Sequence, residues 1–386
     1  MVTLRSQVSG GARLRNGIRS KLQQSRDHVA SRISKKWLSP GNTRPLGSRG
    51  LQLLHGWCFI NSVIQALMHQ PQLLNWVQSH RHTTHGNSTD LNPACTACVL
   101  RDLARVYWAN TPVSRLVPNP GPDMTRIAQI LVHGEAAVRD GNGMHQDDPL
   151  RVFEVFHTGL QQSSRNANWG KAFNALFLLD TQSYLQCQRC DHRRPSANQS
   201  TRTMELYVRP TFANALTDFF SDTMDAQCPE CGPAQGSTRQ TQDIRILAGP
   251  QILTIMIKMF NQVVSVDKFG TYSVTNTRTA NRMQLPKVLD LSQYQQDDGL
   301  PLRYNISSII GQSGTIQTGH FVATVKGPGD KVTMVDDDVT EKFTEARMLA
   351  TPQVLSMGNP KDAYIVTYLR DDGELTKEQK ALKKLM

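Results

Sequence analysis

One cysteine in this chain stands alone. Six of the seven cysteines fall into Cys-x-x-Cys pairs at 95/98, 187/190 and 228/231, which leaves Cys58 without a partner. Cys58 sits where an irregular segment turns into an amphipathic run. Phe59, Ile60, Val63, Ile64 and Leu67 recur at helical spacing and form one apolar face. Pro71 limits how far that helix continues. Cys58 is therefore expected at or just before the first turn of a buried helix. The unpaired N–H groups there carry partial positive charge and favour a thiolate over a thiol. A thiolate nucleophile needs a proton acceptor and a group that orients the acceptor.

The second half of the chain offers both. Residues 320–326 alternate with period two, Gly327-Pro328-Gly329-Asp330 signals a turn, and residues 331–335 return before Asp336, Asp337 and Asp338. Opposed residues of an antiparallel hairpin have a constant sum of numbers. A turn centred at 328 sets His320 opposite Asp336, and a centre half a residue later sets it opposite Asp337. Either aspartate would share a face with His320, fix its tautomer and let it accept a thiol proton. Each feature alone has a plainer reading, as a strand-end histidine or a solvated acidic turn. Together with a lone helix-start cysteine they point to nucleophilic catalysis.

The paired cysteines read as metal ligands of an intracellular protein rather than disulfides. Cys187/Cys190 and Cys228/Cys231 bracket about forty residues, a separation typical of paired zinc knuckles that close a four-thiolate tetrahedron. Such a zinc is structural, pinning a thin two-stranded projection with no core of its own. A redox Cys-x-x-Cys would need only one pair. Cys95 and Cys98 follow His80, His82 and His85, and His82 and His85 are the expected partners in a second site.

The elements that must position these groups follow from the rest of the chain. Its 386 residues are 39% hydrophobic and 19% charged, enough for one large or two ordinary domains. No apolar run reaches the ~18 residues that cross a bilayer, and no secretory signal is visible. The net charge of +11 is concentrated in the first forty-five residues, where Asp27 is the only acid. Residues 1–48 are expected to be a basic, disordered tail and linker, with a transit peptide or a surface-bound helix as the alternative. Helical patterns follow up to about residue 175. Asp147 or Asp148 would cap the helix that carries Val152, Phe153 and Phe156. Strand patterns begin at Phe177, and the Ile244–Lys258 run, with Ile252, Leu253, Ile255 and Ile257, reads as a buried central strand.

These segments together resemble the ubiquitin-specific proteases, a papain-like family of cysteine deubiquitinases. Gly50-Leu51 and Cys58-Phe59-Ile60-Asn61-Ser62-Val63-Ile64-Gln65 resemble the family's cysteine box. Gln146-Asp147-Asp148 with Phe153, the run from Leu253 to Phe260, Gly319-His320-Phe321-Val322-Ala323 and Val335-Asp336-Asp337-Asp338-Val339 follow in the family order. The resemblance implies an α+β papain-like hand over residues 49–371. Its helical thumb would span about 49–175, its zinc-ribbon fingers about 176–248 and its β-rich palm about 249–371, before a charged tail at 372–386. It carries over Cys58 as nucleophile, His320 as general base, Asp336 as orienting residue and Asp147 as a contact for the substrate tail. It likens the Cys95/Cys98 pair, with upstream histidines, to an extra zinc site of some members.

The implied protein is an intracellular thiol protease of the cytoplasm or nucleus that hydrolyses the bond after ubiquitin's C-terminal glycine. Its partners are ubiquitin and ubiquitinated proteins. Structural zinc is implied and no organic cofactor. Nucleic-acid binding by the basic tail and zinc ribbon ranks last, because it leaves Cys58 and the His320 hairpin unexplained. One departure bears on activity. The family usually has an asparagine five positions before the cysteine as an oxyanion-hole donor, and here that position is Leu53. His55, Gly56 and Trp57 also replace the commoner Gly-Asn-Thr, and Pro149 and Leu150 the usual His-Glu. The alternative reading is a ubiquitin-binding module with little catalysis.

Overall fold

A computed structural model describes residues 21–38, 47–51, 56–81, 95–108, 130, 139–140, 143–144, 147–266, 268, 270–297, 301–315, 319–353 and 359–371. The expectations for residues 1–20, Leu53, His55, His82, His85 and the 372–386 tail lie outside the described residues.

The helix that begins at Cys58 is the centre of the fold. It is α2 (Cys58–Met68), and all eleven of its residues are buried, the polar ones included. Burying Asn61, Ser62 and Gln65 is tolerable because each finds a partner. Asn61 Nδ2 donates to Asp337 Oδ1 at 2.8 Å, Ser62 Oγ to Phe59 O at 2.9 Å and Gln65 Nε2 to Arg49 O at 2.6 Å. The helix stops at Met68, and Pro71 opens α3 (Pro71–Gln78) at a position where its missing N–H costs nothing. With α4 (Thr96–Tyr107), α5 (Pro149–Gln162) and α6 (Ala167–Phe177) these form a helical layer. A two-residue strand pair, β1 (Arg139–Asp140) and β2 (Gly143–Met144), precedes α5.

Two large sheets follow. The fingers sheet has four strands, β3 (Leu179–Cys187), β4 (Arg193–Thr201), β6 (Ser221–Gln227) and β7 (Ser237–Ala248), in the order β4-β3-β7-β6. This corrects the two-stranded expectation: β3 and β7 form the spine, and each gains a polar, largely exposed outer strand that the apolar pattern does not mark. The palm is an eight-stranded sheet. It contains β5 (Thr203–Tyr207), β8 (Ile252–Lys258), β11 (Val288–Asp290), β12 (Arg303–Gly314), β13 (Gly319–Lys326), β14 (Val332–Asp336), β15 (Val339–Phe343) and β16 (Asp362–Asp371). The order is β15-β14-β13-β12-β16-β8-β5, with β11 on β12. Only β5 and β8 run parallel. The apolar run at 244–258 is split by Gly249-Pro250, so its first part belongs to β7 and β8 alone is the buried palm strand. A separate hairpin is made by β9 (Phe260–Val266) and β10 (Tyr272–Arg278). Two further short helices are α7 (Phe212–Phe220) and α8 (Glu345–Leu349). Helix α2 packs across β12, β13 and β14 on one side and α5 on the other, so the helical layer and the palm share one core.

The basic N-terminal segment is not a solvated tail throughout. Residues 21–30 form α1 (Lys21–Ala30), which packs against α6 and β7. Arg26 pairs with Asp180, and both side chains are 9% exposed. Asp27 accepts from Arg370 Nη1 at 2.9 Å, and Gln23 Oε1 accepts from Gly249 N at 2.7 Å. Trp37 packs against Trp108 with ring centroids 5.2 Å apart and planes tilted by 58°. The anchors are polar groups whose partners lie far along the chain, which a composition reading cannot register. Removing Arg26 would leave Asp180 buried without its counter-ion. Arg26→Ala is expected to lower the free energy of unfolding by about 3 kcal/mol, read from the urea midpoint at constant slope.

Candidate active site

Cys58 is the first residue of α2 and is 5% exposed. Gly56 takes φ +78°, the left-handed turn that brings the chain into the helix. The Ile60 and Asn61 N–H groups both return to Trp57 O, at 2.9 and 2.8 Å. The first-turn N–H groups of Cys58 and Phe59 have no helical acceptor by construction, so partial positive charge gathers at the sulfur. The Sγ lies 3.8 Å from Gly56 O. Gly50 is also tightly placed, since a Cβ there would come within 2.3 Å of Asp338 O.

Strand β13 lies against α2 and brings His320 to the thiol. His320 Nε2 donates to Asp336 Oδ1 at 2.5 Å, which leaves the other ring nitrogen for Cys58. The hydrogen bond to Asp336 and then that with Cys58 push the His320 pKa up from 6.5 to about 10, against the opposing effect of burial. Because the folded value is raised, this imidazolium contributes stability in full below pH 6.5, and the contribution is lost as pH rises towards 10. Asp336→Asn is expected to bring the His320 midpoint, followed by ring-proton NMR, from about 10 down towards 6.5. A midpoint that does not move would exclude Asp336 as the cause.

The hairpin register explains which aspartate meets the ring. The ladder pairs Ala323 with Val335 and Lys326 with Val332, so the turn centres on Gly329 rather than on 328 or half a residue later. Gly329 at φ +68° and the short turn at Pro328–Asp330 lengthen the connection beyond the expected one. Continued by one residue, this register sets Asp336 opposite Val322, on the face that Val322 shares with His320. The contact is thus diagonal rather than direct. Asp337 falls on the opposite face, takes φ +51° and is held by Asn61. Burial pushes its carboxyl pKa up, and the Asn61 amide works against that.

The structure therefore brings Cys58, His320 and Asp336 together and places Asp147 at the turn before α5. Asp148 is the helix cap: its Oδ1 accepts from Leu150 N at 2.8 Å and its Oδ2 from Tyr364 OH at 2.7 Å. Asp147 Oδ1 accepts from Asp148 N at 2.7 Å. Tyr364 lies 5.9 Å from the Phe321 ring, beside His320, and so ties this turn to the active site. The sequence reading did not single out Asn61 or Tyr364. Their positions inside the cysteine box and a palm strand were the available signal.

The fingers cysteines fit a metal. Cys187, Cys190, Cys228 and Cys231 place their sulfurs within 4.8 Å of one another. The Cys187–Cys231 and Cys190–Cys228 separations are 3.8 and 3.5 Å. Tetrahedral zinc with bonds of ~2.3 Å separates its sulfurs by about 3.8 Å. All four are free thiols. The Thr238 hydroxyl, 3.4 Å from Cys187 Sγ, favours the thiolate of Cys187, while Cys190 and Cys231 are pushed up by the neighbouring sulfurs, a crowding that a bound cation would relieve. In the thumb, among the described residues, His80 joins Cys95 and Cys98, with its Nε2 at 3.4 Å from Cys95 Sγ. His82 and His85, named from spacing, lie outside the described residues. All three members of this second cluster are buried.

The family model for ubiquitin carboxyl-terminal hydrolase matches residues 49–368. The chain is 20% identical over 399 residues to ubiquitin carboxyl-terminal hydrolase 51 of Mus musculus, covering 91% of this chain and 56% of that protein. It is 24% identical over 345 residues to ubiquitin carboxyl-terminal hydrolase 15 of Arabidopsis thaliana, covering 84% and 33%. The chain thus spans a third to somewhat over half of these relatives' lengths. Among solved structures it is similar to the SAGA DUB module of Ubp8, Sgf11, Sus1 and Sgf73 bound to monoubiquitin. The TM-score is 0.67 at 16% identity, over 86% of this chain and 72% of that one. The same module bound to ubiquitin aldehyde gives 0.65 at 18%, over 86% and 72%. At these identities the likeness to solved structures shows the shared fold, and the match over residues 49–368 shows the family: this chain belongs to the ubiquitin carboxyl-terminal hydrolases.

Proposed function

We propose that this chain is a cysteine peptidase that hydrolyses the peptide or isopeptide bond after the C-terminal glycine of ubiquitin. The observation that carries this reading is the meeting of Cys58, His320 and Asp336 from α2, β13 and β14 within this family's fold. The Cys58 thiolate attacks the glycine carbonyl carbon, and the His320 imidazolium gives its proton to the leaving lysine amine. The imidazole then takes a proton from water as hydroxide adds to the thioester, and the thiol leaves. Asp336 holds the ring in the required tautomer throughout. Asp147 stands where a basic substrate tail would meet a carboxylate. Zinc held by the four fingers cysteines has a structural role, stabilising the sheet that grips the ubiquitin body. The Ubp8 module structures with monoubiquitin and ubiquitin aldehyde support the choice of substrate. The test is a ubiquitin derivative with a C-terminal electrophile. One adduct per chain, mapped to Cys58, is expected, and an unmodified Cys58 would overturn the reading.

Leu53 favours a second reading, a ubiquitin-binding module with weak catalysis, because an aliphatic side chain cannot donate to an oxyanion. Loss of one such donor costs roughly 10²–10³ in turnover. Leu53→Asn is accordingly expected to raise turnover of a ubiquitin–fluorophore substrate by about 10²-fold. An unchanged rate would mean that the first-turn N–H groups at Cys58 already stabilise the oxyanion.

A further inference from the structure

Lys361 is buried where a lysine is costly. It is 4% exposed and lies immediately before β16, in a bridge to Gln353 with both N–H···O distances at 2.8 Å. Its stem covers Gly311, where an added Cβ would come within 2.9 Å of Lys361 Cβ. Its Nζ donates to Ser313 Oγ at 2.7 Å. Among the described residues no carboxylate lies within ion-pair distance of it. The neighbouring cation Arg278 differs in this respect, since Asp362 Oδ2 meets it at 2.7 Å. A buried ammonium with only a hydroxyl partner needs another source of compensation.

The active site is that source. Ser313 of β12 is directly opposite His320 of β13. The ammonium thus lies behind His320 through Ser313, and although burial pushes the Lys361 pKa down, Asp336 and then Cys58 pull it up. The charges facing this region can be counted element by element. Helix α2 brings Cys58, β13 brings His320, β14 brings Asp336, and the turn after β14 brings Asp337 with exposed Asp338. From β10 and β16, Arg278 and Asp362 offset each other. With Cys58 ionised, one imidazolium faces a thiolate and two or more carboxylates.

We propose that Lys361 is a positioning residue of this active site, which, tethered by Ser313 behind His320, supplies the second positive charge that lets the Cys58 thiolate and the Asp336 carboxylate coexist. The proposal rests on the peptidase reading for its purpose, but not for its test. The readout is the pH dependence of iodoacetamide alkylation of Cys58, followed by mass spectrometry of the Cys58 peptide in the full chain. No ubiquitin is required. Lys361→Met and Lys361→Gln keep most of the stem and remove the charge. Each is expected to move the acid-side midpoint up by about one pH unit, which slows alkylation about tenfold below the midpoint. Lys361→Arg is expected to keep the wild-type midpoint. Unmoved midpoints in the folded neutral variants would overturn the proposal, as would an equal rise in Lys361→Arg, which would mark a packing effect. Either neutral variant suffices if the other does not fold. Failure of the ubiquitin electrophile to label wild-type Cys58 would count against the peptidase reading and leave this measurement intact.

Discussion

Replacing Cys58 with alanine is expected to lower turnover of a ubiquitin–fluorophore substrate by about 10⁵-fold or more while ubiquitin affinity stays within about twofold. The first part follows from the chemistry available. The other six cysteines lie in Cys-x-x-Cys pairs, four of them gathered in the fingers and two with His80. No second thiol is placed beside His320 to take over. The remaining rate would come from binding and oxyanion stabilisation alone. The affinity should hold because Cys58 is 5% exposed at the start of α2 and presents little surface to a partner. His320→Ala is expected to cost about as much, and the double variant little more than either, because a nucleophile and its base act as one unit. Additive losses would show that the two residues do not share a step. A Cys58→Ala protein that still turns over substrate would remove the nucleophile assignment altogether.

How much of this was legible without coordinates depended on how far each signal travels. Cys58 was legible because a helix start is local: an apolar face at 3.6-residue spacing and an odd cysteine sit in one twelve-residue stretch. His320 was legible because a period-two strand and a Gly-Pro-Gly turn fix a hairpin. The choice between Asp336 and Asp337 was not, since each residue added to the turn moves its centre by half a residue and swaps which carboxylate shares the histidine's face, and the centre at Gly329 matches neither expected register. The resemblance chose Asp336, and the geometry agrees by a diagonal contact. Asp148 as helix cap was half legible, because Asp147 and Asp148 are equivalent until one side chain reaches Leu150 N. Helix α1 was misread because its anchors, Asp180, Gly249 and Arg370, are distant in sequence. Among the described residues His80 is the histidine beside Cys95 and Cys98, and spacing alone does not say which of the three histidines approaches the pair.

Removing zinc is expected to unfold the fingers while leaving the helical layer and the palm intact. The outer strands have little else to hold them: seven of the nine residues of β4 and six of the seven of β6 are exposed. Of the buried residues on β3 and β7, Leu179 and Ile246 near the palm ends join the main core, whereas those further out, Leu185, Cys187, Thr238 and Gln240, do not, so the distal half has few apolar contacts of its own. Structural zinc contributes an apparent free energy of about 10–16 kcal/mol, comparable with the whole stability of an ordinary domain. A strong chelator, or Cys228→Ser, should therefore abolish hydrogen-exchange protection at the knuckle ends of β3, β6 and β7. Protection in α2, β12 and β13 should persist in Cys228→Ser, since their core is continuous and includes none of the four fingers cysteines. The functional consequence separates chemistry from binding. Alkylation of Cys58 by a small reagent should change little, because the triad is built from α2, β13 and β14. If the fingers supply part of the grip, as proposed, affinity for ubiquitin should fall by at least about tenfold, which corresponds to 1.4 kcal/mol. Protection that survives complete zinc removal would show that the four thiols are not a structural site. A parallel loss of Cys58 reactivity would show that the fingers and the triad are mechanically coupled rather than separate modules.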